Sequence, residues 1–219
     1  MREKFLRDGL DGFDPHVVLE VLLYNVIPRR DTNEIAHKLM DTFGSLAGVF
    51  DAPYEELLKI DGIGETAAAL LKMVPPLSRR YLEDKYESGT SVADIETAGE
   101  ILLKKFIGRI NETIILLLMD SKGKLLFSGV VNEGTVNAAD VYIRKIVELG
   151  VRYNASSAII SHNHPSGIAL PSRDDLSTTR SVHDALALVG VKLIDHIIVA
   201  DNDYVSIAQS GIMPELFDT

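Results

Sequence analysis

Residues 157–167 read Ser157-Ala158-Ile159-Ile160-Ser161-His162-Asn163-His164-Pro165-Ser166-Gly167. Ser157 to Ser161 is a short apolar run of strand length, and it leads straight into two histidines two positions apart. In an extended chain the side chains alternate with a period of two. His162 and His164 therefore point to the same side, about 6–7 Å apart along the chain. Pro165 and Gly167 then turn the chain. Pro171-Ser172 opens a helix, with Ser172 as its N-cap or as a free hydroxyl. Asp175 lies one turn in, on the face of Ser172, so its carboxylate can face back toward the loop. Two neutral ring nitrogens and a carboxylate suit Zn²⁺ and leave its fourth position open for water, the arrangement of a catalytic site. The chain has no cysteine, which removes thiolate ligands, thiol nucleophiles and disulfides. We expect one zinc ion per chain, held by His162, His164 and Asp175.

Working outward from this stretch, the second half of the chain alternates strands with helices. Ala98 to Ile107 has helical period, and Thr113 to Met119 reads as a strand buried on both faces. Asp120 to Gly123 turns it into a second strand, Leu125 to Val131, giving a hairpin. Helices are expected over 138–151 and 172–189, with further strands at Val191 to Val199 and Tyr204 to Ile207. This is the pattern of a layered α/β domain spanning 98–219.

The first 82 residues read as a small all-helical domain. Asp14-Pro15 starts one helix, with Val17, Val18, Val21 and Leu22 as its apolar face. Asp31 with Glu34 suggests a capping box for a second, ending before Gly44. Pro53 opens a third. Asp61-Gly62-Ile63-Gly64 precedes an Ala-rich run, Thr66 to Met73, which Pro75-Pro76 is expected to end. Residues 83–97, polar and weakly periodic, are expected to be a linker.

The net charge is −10 at pH 7, with 46% hydrophobic and 25% charged residues. An acidic protein lacks the basic field that drives nucleic-acid binding through counterion release. No apolar stretch approaches the roughly 20 residues of a membrane span, and no Lys/Arg-led apolar segment opens the chain. The expected location is the cytoplasm, with no membrane partner.

His162-Asn163-His164-Pro165 followed by Ser172-Arg173-Asp174-Asp175 resembles the JAMM metalloprotease motif. The longer string through Gly167, with Asp195-His196 later, is similar to the RadC branch of that family. The resemblance implies a C-terminal α/β/α JAMM (MPN) domain akin to the deaminase fold, behind an N-terminal helix–hairpin–helix region. It also implies zinc and metallopeptidase chemistry on a protein or peptide substrate. The Ser-x-x-Asp spacing selects Asp175 over Asp174. JAMM enzymes take their general base from a glutamate at the start of the domain's first strand, here Glu112. Glu133 is the competitor. Ser172 would hold the water or the developing oxyanion, while His196 would support the site or the fold and not ligate.

In the helical half, Gly62, Ile63 and Gly64 resemble the hairpin of such regions, where exposed N–H groups can hold a DNA phosphate. Glu65 stands where a basic residue is usual, so weak, non-specific DNA binding is the most we expect. Two rival readings stay open: a DNA-processing protein whose metal serves phosphodiester hydrolysis or structure, and a metal-bearing interaction module without turnover.

Overall fold

A computed structural model describes residues 2–86, 90–134, 139–165 and 167–217. The chain forms two compact units, Met1–Arg80 and Tyr81–Thr219.

In the second unit, β1 (Thr113–Met119) is buried at every position. Its apolar residues divide by parity between two cores. Ile114, Leu116 and Leu118 pack with Tyr142, Ile146 and Leu149 of α8 (Ala139–Arg152) and with Val182 and Leu186 of α9 (Arg173–Ala187). Ile115, Leu117 and Met119 pack with Ala98, Leu102 and Phe106 of α7 (Ile95–Phe106). Helices thus cover both faces, as a strand apolar on both sides requires. The remaining strands are β2 (Leu125–Glu133), β3 (Ser157–Asn163), β4 (Lys192–Ala200) and β5 (Asp203–Ser206). The sheet order is β2-β1-β3-β4-β5. Among the described residues only β3 and β4 pair in parallel, and α9 makes the crossover between them. The α/β/α layering expected from the sequence is present. Short helices α10 (Ile207–Ser210) and α11 (Pro214–Phe217) close the unit.

Several boundaries differ from the sequence reading. β3 runs two residues beyond Ser161, placing His162 and Asn163 inside the sheet. Ile207 starts α10 instead of ending a strand. Ala138 and Thr135, at the expected start of α8 and in the turn after Glu133, lie outside the described residues, as does Ser166.

The first unit comprises α1 (Arg2–Asp8), α2 (Pro15–Leu23), α3 (Thr32–Phe43), α4 (Leu46–Asp51), α5 (Tyr54–Leu57) and the start of α6 (Glu65–Tyr86). The face of α2 centres on Leu19 and Leu23, both fully buried, and not on the valines. The Asp31 cap forms, but its carboxylate accepts from Asn33 N, and Glu34 pairs with Lys38 in place of a capping box. Contrary to expectation, α6 continues through Pro75 and Pro76 to Tyr86, into what reads as a linker. Each proline forfeits one ladder bond, at a cost of about 3 kcal/mol. Burial of Ala67, Ala68, Leu71 and Pro75 on one face offsets that cost. No helix among the described residues is long and apolar enough to cross a membrane.

Candidate metal centre

His162 is the sixth residue of β3, opposite Ile114 of β1 and Ile198 of β4. That register puts it on the sheet face covered by α8 and α9, where it is 4% exposed. His164 lies just past the strand, yet its N–H still donates to Val199 O at 2.8 Å. The ladder bond preserves the alternation, so both imidazoles leave from one face. Asp175 arrives from the first turn of α9. Ser172 Oγ accepts from Asp175 N at 3.1 Å, and Asp175 Oδ2 accepts from Ser172 N at 2.7 Å. This capping box fixes the carboxylate as well as the helix end.

The result is three ligand atoms facing one point. His162 Nε2 and His164 Nε2 are 2.9 Å apart, and they stand 3.1 and 3.4 Å from Asp175 Oδ1 and Oδ2. Zinc bonds of about 2.0–2.2 Å place tetrahedral ligand atoms roughly 3.3–3.6 Å apart, close to this triangle. Hydrogen-bond direction strengthens the fit. His164 Nδ1 lies 2.8 Å from Ile168 O, an acceptor, so the proton of a neutral ring sits on Nδ1 and Nε2 carries a bare lone pair. His164 Nε2 and the Asp175 carboxylate, 3.4 Å apart and both offering lone pairs, repel each other unless a cation or a proton joins them.

Glu112 immediately precedes β1 and lines the same cavity, of about 220 Å³, together with His162, His164, Ser172, Asp174 and Asp175. Its backbone is held on both sides. Glu112 O accepts from Gly134 N at 2.9 Å. The side chain of Asn163 grips the flanking peptides, accepting from Thr113 N at 2.8 Å and donating to Asn111 O at 3.1 Å. Glu133 does not line the cavity; it pairs with Arg109 at 3.2 Å.

A RadC-like JAB domain model matches residues 92–212. The chain is also 34% identical over 212 residues to a UPF0758 protein of Idiomarina loihiensis, covering 97% of this chain and 95% of the relative. Similar matches, also at 34%, join it to UPF0758 proteins of Photobacterium profundum (96% and 94% of the two chains) and Fusobacterium nucleatum (97% and 95%). The chain belongs to the RadC family. At the family level this points to a metal hydrolase of JAMM type, and the His162–His164–Asp175 group is where this RadC chain could hold a metal.

Electrostatics bear on a neighbour of these residues in this RadC domain. Burial, reinforced by His162, pushes the pKa of His196 far down, so that ring is neutral. His196 Nε2 lies 2.8 Å from His162 Nδ1, and its Nδ1 lies 2.6 Å from Thr179 Oγ1. Thr179, Asn163 and the Ile168 carbonyl escaped the sequence reading. Asn163 sits inside the motif string, but its bonding shows only once the strands are aligned.

Gly62, Ile63 and Gly64, which the sequence suggests as a hairpin, lie in the first unit, between α5 and α6. Gly62 has φ +96°, and a Cβ there would meet Ile35 Cδ1 at 2.6 Å, so turn and packing both demand glycine. Ile63 is buried, while Glu65 begins α6 exposed. Asp61 lies 3.4 Å from Lys38 and 3.9 Å from Arg30, partly occupying the nearby cations. His16 and His37 stack on one another at 4.2 Å, and His183 pairs with Asp184.

Proposed function

We propose that this chain is a zinc-dependent hydrolase that cleaves amide or isopeptide bonds in a protein or peptide. The observation that carries it is the convergence of two imidazole nitrogens, the Asp175 carboxylate, Glu112 and Ser172 on one cavity. Zinc held by His162, His164 and Asp175 would supply Lewis acidity and a lowered water pKa. Glu112 accepts the proton of the attacking water and passes it to the leaving nitrogen. Ser172 Oγ already accepts from Asp175 N, which leaves its hydroxyl proton to donate to the developing oxyanion.

The cavity lining favours an amide over a phosphodiester. Among the described residues it holds the carboxylates Glu112, Asp174 and Asp175 and no Lys or Arg. A phosphodiester anion would be repelled there, whereas a neutral amide brings no charge. With this lining and the net charge of −10, DNA is at most a weak, non-specific partner of this protein.

The test runs wild type and Glu112→Gln against quenched peptide and isopeptide libraries and against DNA, with metal content measured in parallel. Peptide cleavage should fall by about 10²–10⁴-fold in Glu112→Gln with zinc retained. An unchanged rate would move the base elsewhere. DNA cleavage without peptide cleavage would overturn the reading, and zinc without either activity would mark a non-catalytic module.

A further inference from the structure

To hold a metal, the His162 and His164 rings must both present Nε2 unprotonated, and a neutral imidazole places its one proton on either nitrogen with little preference of its own. For His164 the Ile168 carbonyl settles the choice. For His162, among the described residues, no carbonyl or carboxylate bonds Nδ1; its partner is another histidine, His196, whose ring could donate or accept. A pair of imidazoles leaves the proton's position undecided. Something further along must fix it.

Thr179 does so. It sits on α9 one turn after Asp175, is fully buried, and its hydroxyl lies 2.6 Å from the Asp175 carbonyl oxygen. That oxygen can only accept, so the single hydroxyl proton is committed to it. The Thr179 oxygen then offers only lone pairs to His196 Nδ1, 2.6 Å away. His196 must therefore carry its proton on Nδ1 and accept at Nε2. His162 Nδ1 must donate, and His162 Nε2 is left bare toward His164 and Asp175. We infer that Thr179 and His196 are positioning residues that lock His162 in the metal-binding tautomer.

The chain of bonds begins on the backbone of Asp175 and returns to the side chain of the same residue, 3.1 Å from His162 Nε2. The reversed chain would put two lone pairs together at Thr179 and a proton on Nε2, where a metal must bind. His196 is 2% exposed, so solvent cannot substitute for the missing donor or acceptor. Partners that orient a metal-ligating histidine this way are typically worth 10- to 100-fold in metal affinity.

The inference rests on the metal reading above, and its test separates the two. Long-range ¹H–¹⁵N spectra of the imidazoles of the full chain, metal-free and with zinc, report which nitrogen bears each proton. Zinc affinity is measured by chelator competition for wild type, Thr179→Val and Thr179→Ser. In the metal-free wild type, His162 and His196 should both carry the proton on Nδ1. Thr179→Val should bind zinc about 10- to 100-fold more weakly and shift the His162 tautomer, and Thr179→Ser should restore both. A His196 proton on Nε2 in the wild type overturns the lock by itself, so the test survives a Val variant that folds poorly. Thr179→Val binding zinc as tightly as wild type also overturns the lock and leaves the metal reading standing. A wild type that binds no zinc overturns the metal reading, and the metal-free spectra then decide whether Thr179 sets the tautomer.

Discussion

Asn163 stands between the two candidate ligand histidines, and its side chain serves the other side of the site, at Glu112. By bonding Thr113 N and Asn111 O it fixes the peptides on either side of Glu112. Asn163→Ala strips the buried Thr113 N–H of its acceptor, which costs about 1–3 kcal/mol. It should lower the denaturation midpoint and slow hydrolysis while leaving zinc bound, because neither histidine depends on it. Unchanged stability and rate, or loss of zinc, would contradict this division of labour. The convergence of His162, His164 and Asp175 was legible because strand alternation and a helix cap dictate it locally. Asn163 and Thr179 were not. Their partners lie 50 and 17 positions away, at Thr113 and His196, and only the strand register and the packing of α9 on the sheet bring them together.

Elements were legible where burial alone decided them. β1 announced itself by an unbroken apolar run, and α9 by Ser172 and its following periodicity. α6 was misjudged because two prolines break local hydrogen bonds while tertiary burial of the same helix outweighs them. The short helices are fixed by caps, α4 by Ser45 onto Gly48 N and α10 by Ser206 onto Gln209 N with Asp195 onto Ala208 N, and have too few residues to show a period. The junction of β4 with α10 turns on Asp195, fully buried, which accepts from His196 N, Ala208 N and the Ser206 hydroxyl. Asp195→Ala leaves these donors unmet and should cost about 3 kcal/mol. Asp195→Asn keeps an acceptor for both N–H groups and should cost far less. Burial raises the pKa of Asp195, so between its unfolded value of about 3.9 and the raised folded value the native state binds more protons. Stability from this group therefore falls as pH rises through that window. The Asn variant lacks this loss, and its stability relative to wild type should improve as pH rises from about 4 through that window in denaturant titrations. A relative stability that worsens over that range would show that Asp195 is held as a favourable anion.

At the scale of the molecule, two features separate chemistry from scaffold. The sheet, covered by α7 on one face and by α8 and α9 on the other, brings one strand end, one loop and one helix start to a single cavity. The acidic balance of the chain and of that cavity points away from nucleic-acid phosphates, and Glu65 repeats that sign beside the Gly62 turn. Each of these conclusions presupposes that His162, His164 and Asp175 converge in order to hold a metal. The most direct measurement is elemental analysis of the full chain purified without added metal or chelator, alongside His162→Ala and Asp175→Ala, each checked for folding by circular dichroism. The wild type should carry close to one zinc per chain and both folded variants close to none. A wild type without zinc that cannot be loaded with it, or variants that keep full occupancy, would contradict the metal centre.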